Sequence, residues 1–213
     1  MTTYTNFMVD FETLGVRQQP CPGSFAIVAF NPAQNYREIV DLTILPNYTA
    51  YLNLSEGIAA GLHIDHETVR WWMEQKNRDA LIAPVNGRAP LCYLDFCYLI
   101  QDFIEVWCKQ KEDRKIWCRG LDFDFALIKR IFQHTNQTEP WPYYAGRDVR
   151  TFCSTILDSG QQRILQKQLQ LRFEAHNPVT DCMAQIAMVQ IVQEKLTNMA
   201  SALSQLNAKE EVS

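Results

Sequence analysis

The N-terminal part of the chain alternates short apolar runs with turn residues, which is the pattern of a β-sheet. The segment Asn6–Leu14 is predicted to be one strand, and Ser24–Phe30 and Glu38–Leu45 are predicted to be two more. Segments rich in proline, glycine and asparagine, CPGS and NPAQN, separate these runs. Three consecutive strands with short connections predict an antiparallel meander.

Helical periodicity then takes over, with apolar positions recurring every three or four residues. Asp65 is a candidate N-cap, since an aspartate side chain accepts hydrogen bonds from the free N–H groups of a first helical turn. Asn177 and Pro178 are the residue types preferred at the N-cap and at the first helical position. The predicted helices are Asp65–Ala83, Leu91–Lys109, Phe123–His134 and a segment from Asn177 to about Leu203.

A strand and a loop interrupt these helices. Lys115–Cys118 has the pattern of a short buried strand, and Glu139–Arg147, rich in proline and aromatic residues, that of a loop. Strands followed by an alternation of helices and a strand predict one mixed α/β domain. We expect this domain to span residues 1–206 and residues 207–213 to form a flexible polar tail.

The composition is that of an ordinary folded protein, because 47% of the 213 residues are hydrophobic and 21% are charged. The net charge of −4 does not indicate broad electrostatic wrapping of nucleic acid. A carboxylate site nevertheless reverses its local sign when it binds divalent ions. The seven cysteines have neither zinc-site nor C-x-x-C spacing, which predicts reduced, buried thiols. No signal-peptide pattern or membrane-spanning apolar run is present, so we expect a cytoplasmic protein.

Asp10 and Glu12 lie in the most hydrophobic stretch of the first predicted strand. Residues two apart in a strand point to the same face, so the two carboxylates project together while Val9 and Phe11 face the other way. Neighbouring carboxylates repel each other unless a cation lies between them. A solvated strand face is the commonest explanation of such a pair, but the apolar context favours a metal site.

Further acidic positions occur at two predicted helix starts. In WCRGLDFD (Trp117–Asp124), a strand leads through a glycine turn into a helix. Helix capping explains Asp122, whereas Asp124 is better placed to point back at the sheet. In HNPVTD, His176 directly precedes a helix and Asp181 lies in its first turn. Taken alone, that motif is most simply a surface histidine and a first-turn aspartate.

In combination and in this order, the motifs resemble those of the DEDD superfamily of 3′–5′ exonucleases, in its DEDDh (DnaQ-like) branch. That pattern is D-x-E on the first strand, G-x-x-F-D at a strand-to-helix turn and H-x₄-D at the start of a C-terminal helix. The similarity runs from about Phe7 to Val192. It is greatest to the subgroup of RNase AS exoribonucleases and phage T4-type exodeoxyribonucleases, which Ile64–Trp72 and Arg147–Phe152 also resemble. Relatives often have an acidic residue where this chain has Thr180.

The resemblance implies an RNase H-like α/β fold, with a central mixed sheet of about five strands flanked by helices, the first three strands antiparallel. It also implies two divalent ions, Mg²⁺ or Mn²⁺, held by Asp10, Glu12, Asp124 and Asp181. His176 would act as the general base, since an imidazole takes up a proton near neutral pH. The expected reaction releases nucleoside 5′-monophosphates stepwise from a free 3′ end.

Aromatic and basic residues near these motifs are candidates for substrate contacts. Trp141, in the proline-rich loop, is a candidate for stacking on a base, with core packing as the alternative. Trp72 falls on an apolar helix face, where core packing is favoured. Relatives contact the terminal nucleotide at the positions next to the D-x-E pair, which here are Phe11, Thr13 and Leu14.

Charged residues outside the acidic motifs are further candidates. Arg147, Arg150 and Arg119 have the chemistry to bind phosphates, although the first two are equally suited to pair with acidic neighbours. Asp148 is a candidate for supporting the site indirectly, by contacting residues that bind the metal ions.

The resemblance implies that the partner is single-stranded RNA or DNA with a free 3′ end. The sequence does not separate RNA from DNA, because the two differ at the site by one hydroxyl group. Relatives suggest a homodimer, although nothing in the pattern requires one. A different interpretation is a nucleic-acid-binding or assembly module that has lost catalysis, which a degradation assay with and without EDTA distinguishes. A third is a structural protein with an accidental carboxylate pattern, for which we expect no cooperative binding of Mn²⁺.

Overall fold

The structure, a computed structural model, describes residues 2–17, 19–35, 45–82, 89–173 and 175–210. The strand predicted at Glu38–Leu45 lies outside these ranges, except for Leu45, which is buried. Within them, the strand that completes the N-terminal meander is Asn47–Tyr51.

A mixed five-stranded sheet forms the centre of the molecule, as the sequence predicted. Its strands are β1 (Asn6–Thr13), β2 (Pro22–Phe30), β3 (Asn47–Tyr51), β4 (Lys115–Cys118) and β5 (Gly146–Asp148). Their order in space is β3-β2-β1-β4-β5. β1 pairs antiparallel with β2, and β2 antiparallel with β3, whereas β4 is parallel to both β1 and β5. β1 is therefore the middle strand.

In the ranges that the structure describes, seven α-helices flank this sheet. They are α1 (Leu54–Ala59), α2 (His66–Glu74), α3 (Tyr93–Trp107), α4 (Ala126–His134), α5 (Val149–Cys153), α6 (Ser159–Gln170) and α7 (Pro178–Glu210). Asp65 caps α2 as predicted, because its side chain accepts a 2.9 Å hydrogen bond from the Glu67 N–H. Asn177 directly precedes α7, and its side chain accepts a 3.3 Å hydrogen bond from the Val179 N–H.

Several predicted boundaries differ from the observed ones. The helix predicted over Asp65–Ala83 ends at Glu74, because the polar run that follows offers no apolar side chain to continue its buried face. The predicted loop Glu139–Arg147 ends in strand β5, since Trp117 of β4 pairs with Arg147. α7 continues through residues 207–210, which were predicted to belong to the tail, because neither glycine nor proline interrupts it.

The pleat of β1 divides its side chains between two cores. Phe7, Val9 and Phe11 belong to the core that also contains α3 and α4 residues. Met8 belongs to the opposite core, which α7 covers. Because residues two apart share a face, Asp10 lies on the α7 side of the sheet, as the alternation in the sequence predicted.

No helix in the described part of the chain has both the length and the apolar character needed to cross a membrane. All seven cysteines are free, and six of them are buried. The prediction of reduced, buried thiols is therefore confirmed for six of them, whereas Cys92 is partly exposed.

Candidate active site

Asp10 and Glu12 lie at the C-terminal end of β1, where the strand leaves its parallel neighbour. The parallel ladder recorded between β1 and β4 covers Asn6–Met8, whereas the antiparallel ladder with β2 continues to Thr13. The ladder with β4 thus does not extend past Met8, which leaves a gap beside this end of β1. Asp10 and Glu12 project from the edge of this gap on the α7 side.

Asp124 enters this gap from the turn after β4. Gly120 has a φ of 139°, a conformation that L side chains rarely adopt, and it begins a single π-helical turn at Leu121–Phe125. Asp124 is buried and its carboxylate accepts a hydrogen bond from the backbone of Phe11, which lowers its pKa in opposition to burial. Asp122, two residues earlier, is exposed. As expected from the sequence, Asp124 is the acid that points back at the sheet.

The start of α7 supplies the remaining two residues. His176 precedes the helix by two positions, and its backbone N–H donates a 2.9 Å hydrogen bond to Oδ2 of Asp181 in the first turn. The ligand atoms of Glu12, His176 and Asp181 all lie within 4.8 Å of one another. A histidine nitrogen and two carboxylate oxygens at this spacing are compatible with a single bound cation.

Three distant segments thus converge on one cavity of about 360 Å³. Asp10, Glu12, Asp124, His176 and Asp181 all line it. The first two come from β1, the third from the π-helical turn and the last two from the start of α7. The five residues predicted to carry the chemistry are therefore together in space.

Burial raises the pKa of every carboxyl group in the acidic cluster, and repulsion between the carboxylates adds to the increase for Asp10 and Glu12. For Asp10 burial is the largest cause of the increase, followed by the charges of Asp124 and Asp181. Burial and the same two aspartates raise the pKa of Glu12 to about 8. Burial raises the pKa of Asp124 to about 7 and also raises that of Asp181. Without a bound cation, the carboxyl groups of the cluster tend to stay protonated. A divalent cation binds their ionised form and thereby displaces the protons.

Positive charge lines another part of the same cavity. Arg119 follows β4, and Arg150 lies in α5. Burial and the nearby Arg150 lower the pKa of Arg119. The Nε of Arg119 is buried without a hydrogen-bond partner among the residues that the structure describes. Guanidinium groups with free donors beside a carboxylate cluster are suited to phosphate oxygens.

Several glutamines of the cavity were missed by sequence reasoning. Gln166 and Gln170 belong to α6, a helix that was not predicted. Its signal was present in Asp158 and Gln161, which form a capping box at its start. Gln185 lines the cavity from α7. It follows Asp181 by four residues, a spacing that places both on one helix face.

The two tryptophans that were candidates for substrate contact both lie in the core, as was favoured for Trp72. Trp141 is 2% exposed, its ring packs against Phe125 and Phe132, and its indole N–H donates to Glu139. A ring with so little exposed surface offers no face to a base, so the structure favours core packing over base stacking for Trp141. Trp72 is 3% exposed, and its indole N–H donates to the Thr13 carbonyl.

The three candidate contact positions next to the D-x-E pair differ in their location: Phe11 lines the cavity, whereas Thr13 and Leu14 are buried. The Phe11 ring packs against Phe25 and Phe96 in the core. The Thr13 hydroxyl donates to the Gly15 carbonyl. Of these three positions, only Phe11 lines the cavity.

Arg147 and Asp148 lie outside the cavity. The Arg147 guanidinium donates to the carbonyls of Tyr144 and Gly146, which occupies it away from the acidic cluster. Asp148 caps α5 through a 2.7 Å hydrogen bond from the Thr151 N–H. Asp148 thus caps the helix that carries Arg150, a residue of the cavity.

A comparison with models of known protein families identifies the family of this chain. The model described as "3′-5′ exoribonuclease Rv2179c-like domain" matches residues 5–193. The chain belongs to this family. The matched span of the Rv2179c-like domain contains all three segments that form the cavity, and it identifies the chain as a 3′–5′ exonuclease domain.

Two known proteins are similar to this Rv2179c-like domain over most of their length. The exodeoxyribonuclease of Enterobacteria phage T4 is 25% identical over 207 residues, covering 86% of this chain and 87% of that protein. The nuclease domain of 3′hExo, described as a DEDDh family member bound to rAMP, is 13% identical and superposes with a TM-score of 0.52 over 90% of this chain and 93% of that one. The second match shows that the fold is the RNase H-like fold of DEDDh nucleases.

Proposed function

We propose that the chain is a metal-dependent 3′–5′ exonuclease that shortens single-stranded RNA or DNA and releases nucleoside 5′-monophosphates. One observation carries this proposal. Four acidic side chains and one histidine from three distant segments line a single cavity of about 360 Å³. The family match supports the exonuclease reaction and its direction.

Divalent metal ions fit the chemistry of this cavity. The four carboxyl groups have raised pKa values because they are buried together, so cations would relieve a repulsion that the fold itself creates. Asp10, Glu12, Asp124 and Asp181 would hold two ions, Mg²⁺ or Mn²⁺. Bound ions supply Lewis acidity, which activates water and stabilises negative charge on a reacting phosphate.

The side chains around the acidic cluster have distinct tasks in this proposal. His176 is exposed at the mouth of the cavity, and a ring nitrogen lies within 4.8 Å of carboxylate oxygens of Glu12 and Asp181. From there its imidazole accepts the proton of the attacking water. Arg119 and Arg150 hold the phosphate and neutralise the charge that develops on it.

Substrate polarity and sugar preference are tested together with labelled oligonucleotides. Matched RNA and DNA oligomers, labelled at the 5′ or the 3′ end, are incubated with Mg²⁺, Mn²⁺ or EDTA. We expect 5′-labelled strands to shorten progressively and 3′-labelled strands to release a labelled mononucleotide at once, in both cases only with metal. Internal cleavage, or degradation in EDTA, would refute the proposal.

The role of His176 is tested separately. We expect His176→Ala to lower kcat about 10²–10⁴-fold, the usual contribution of a general base, with nearly unchanged Mn²⁺ affinity in calorimetry. Loss of Mn²⁺ affinity in this variant would instead make His176 a metal ligand. Unchanged kcat would exclude it from the reaction.

A further inference from the structure

The turn that carries His176 is held by a residue about one hundred positions earlier in the chain. The Nδ2 atom of Asn77 donates a 2.8 Å hydrogen bond to the carbonyl of Ala175 and a 2.9 Å hydrogen bond to the carbonyl of His176. One side-chain amide therefore binds two successive peptide groups. These two peptides set the direction in which the His176 side chain leaves the backbone.

The side chain of Asn77 does not cap the 3₁₀ turn that follows it. Asn77 immediately precedes a short 3₁₀ turn at Arg78–Ala80, where an asparagine commonly caps the free N–H groups. Among the described residues, its side chain makes no capping bond to that turn. Its donor group is directed to the start of α7 instead.

His176 needs such support because its backbone is in an unfavourable conformation. Its φ is 60°, in the left-handed region that non-glycine residues rarely occupy. Backbone geometry of this kind persists only where surrounding contacts determine it. Here the carbonyl of His176 is bound by Asn77 and its N–H by Asp181.

The imidazole ring is held from the same side of the molecule. The Trp71 ring packs edge-on against it, with ring centroids 4.7 Å apart. Trp71 lies in α2, six residues before Asn77. The segment formed by α2 and the following 3₁₀ turn therefore contacts His176 at both its backbone and its side chain.

We propose that Asn77 is a positioning residue for the exonuclease reaction, which fixes the left-handed turn at His176 so that the imidazole faces the carboxylate cluster. The inference rests on the proposed function, in which His176 accepts the proton of the attacking water. Among the described residues, the side-chain hydrogen bonds of Asn77 go to the backbone of the turn at Ala175 and His176 and not to a carboxylate of the cluster, so it acts through this turn. Without the two hydrogen bonds, the turn relaxes to a more favourable φ and the ring leaves its position.

Two substitutions at Asn77 separate the donor from the bulk of the side chain. Asn77→Ala removes the amide, whereas Asn77→Asp keeps the shape but places a carboxylate against two carbonyl oxygens. We expect both variants to lower kcat by about 10–100-fold, the scale of a misplaced catalytic group. KM for a short oligonucleotide and Mn²⁺ affinity should change much less than kcat, because the Asn77 side chain bonds to backbone carbonyls of the turn and not to a carboxylate.

Asn53 provides a matched control. Its side chain caps α1 by accepting from the N–H groups of Ser55 and Glu56, away from the turn at His176. Asn53→Ala therefore removes an asparagine amide and some stability, and we expect unchanged kcat. A comparable loss of kcat in Asn53→Ala would show that general destabilisation explains the Asn77 variants.

A double mutant tests whether Asn77 acts through His176. In a His176→Ala background, we expect Asn77→Ala to cause no further loss of kcat. The metal-free protein gives a second readout, because ¹⁵N-histidine NMR resolves the four histidines. Asn77→Ala should shift or broaden the imidazole signals of His176 and leave those of His63, His66 and His134 unchanged.

Two results would overturn the inference, and both differ from a failure of the proposed function. Wild-type kcat in Asn77→Ala, or the same loss of kcat with and without His176, would show that Asn77 does not position the imidazole. Wild-type kcat in His176→Ala would instead remove His176 from the reaction. In that case the NMR readout still decides whether Asn77 fixes the turn.

Discussion

The side-chain amide of Gln185 donates a 2.7 Å hydrogen bond to Oδ1 of Asp10. Gln185 is 6% exposed, and its Oε1 atom is buried without a hydrogen-bond partner in the described part of the chain. The bond lowers the pKa of Asp10, in opposition to burial and the neighbouring acids. Gln185 therefore favours the ionised carboxylate, which is the form that binds a cation, and holds it in one orientation.

Replacing Gln185 should weaken metal binding. We expect Gln185→Leu to lower Mn²⁺ affinity by about 10–100-fold, the usual cost of removing a group that orients a metal ligand. Calorimetric titration measures this directly. The matched control is Gln190→Leu, because Gln190 lies on the same helix, is also buried and donates to the Asn31 carbonyl outside the site. Equal affinity losses in both variants would contradict the assigned role.

The stability of the metal-free protein should fall as pH rises. The folded state raises the pKa of Glu12 from 4.5 to about 8 and that of Asp124 from 3.8 to about 7. A group with a raised folded pKa stabilises the protein fully below its unfolded pKa and loses that contribution as pH rises through the folded pKa. In EDTA, the free energy of unfolding from urea titrations should therefore decrease between about pH 4 and pH 8.

Two comparisons assign this loss to the carboxylate cluster. Saturating Mn²⁺ should remove most of the decline, because cations replace the protons. Asp10→Asn should flatten it in EDTA, since one of the four interacting charges is gone, and should abolish turnover. Metal-free stability that is constant or rises across this pH range would show that the cluster does not destabilise the fold.

The two aspartates of the π-helical turn should differ sharply in importance. Asp124 is buried in the cavity, whereas Asp122 is exposed. Removing a residue that hydrogen-bonds to a metal ligand lowers metal affinity or activity by about 10–100-fold, so removing a ligand itself should lower activity by at least about 100-fold. We expect that loss of kcat/KM in Asp124→Asn and near-wild-type activity in Asp122→Asn. The reverse ranking would contradict the assignment of Asp124 as a metal ligand.

Trp141 should matter for stability and the neighbouring Tyr143 should not. Trp141 is 2% exposed and Tyr143 is 89% exposed. Trp141→Ala leaves a large cavity and should lower the free energy of unfolding by about 3–5 kcal/mol. Tyr143→Ala should change it by less than about 0.5 kcal/mol. A stable Trp141→Ala variant with reduced substrate affinity would restore the stacking role.

Local patterns were sufficient for much of the fold. The alternation in β1 separates Phe7 and Val9 from Asp10, because a strand has a period of two whatever it packs against. The strand Lys115–Cys118 was predicted at both ends, since a short apolar run before glycine has few other structures available. The caps Asp65 and Asn177 depend on backbone groups a few residues away, and these also were predictable.

The sequence alone determined which residue types are available for chemistry and which of them share a strand face or a helix start. Only the tertiary structure decided what meets across the chain. The pairing of Gln185 with Asp10, the hold of Asn77 on His176 and the burial of Trp141 all join positions brought together by packing of the sheet and helices. Periodicity reports neighbours within one element, whereas contacts between elements depend on sheet order and helix placement, which no local pattern encodes.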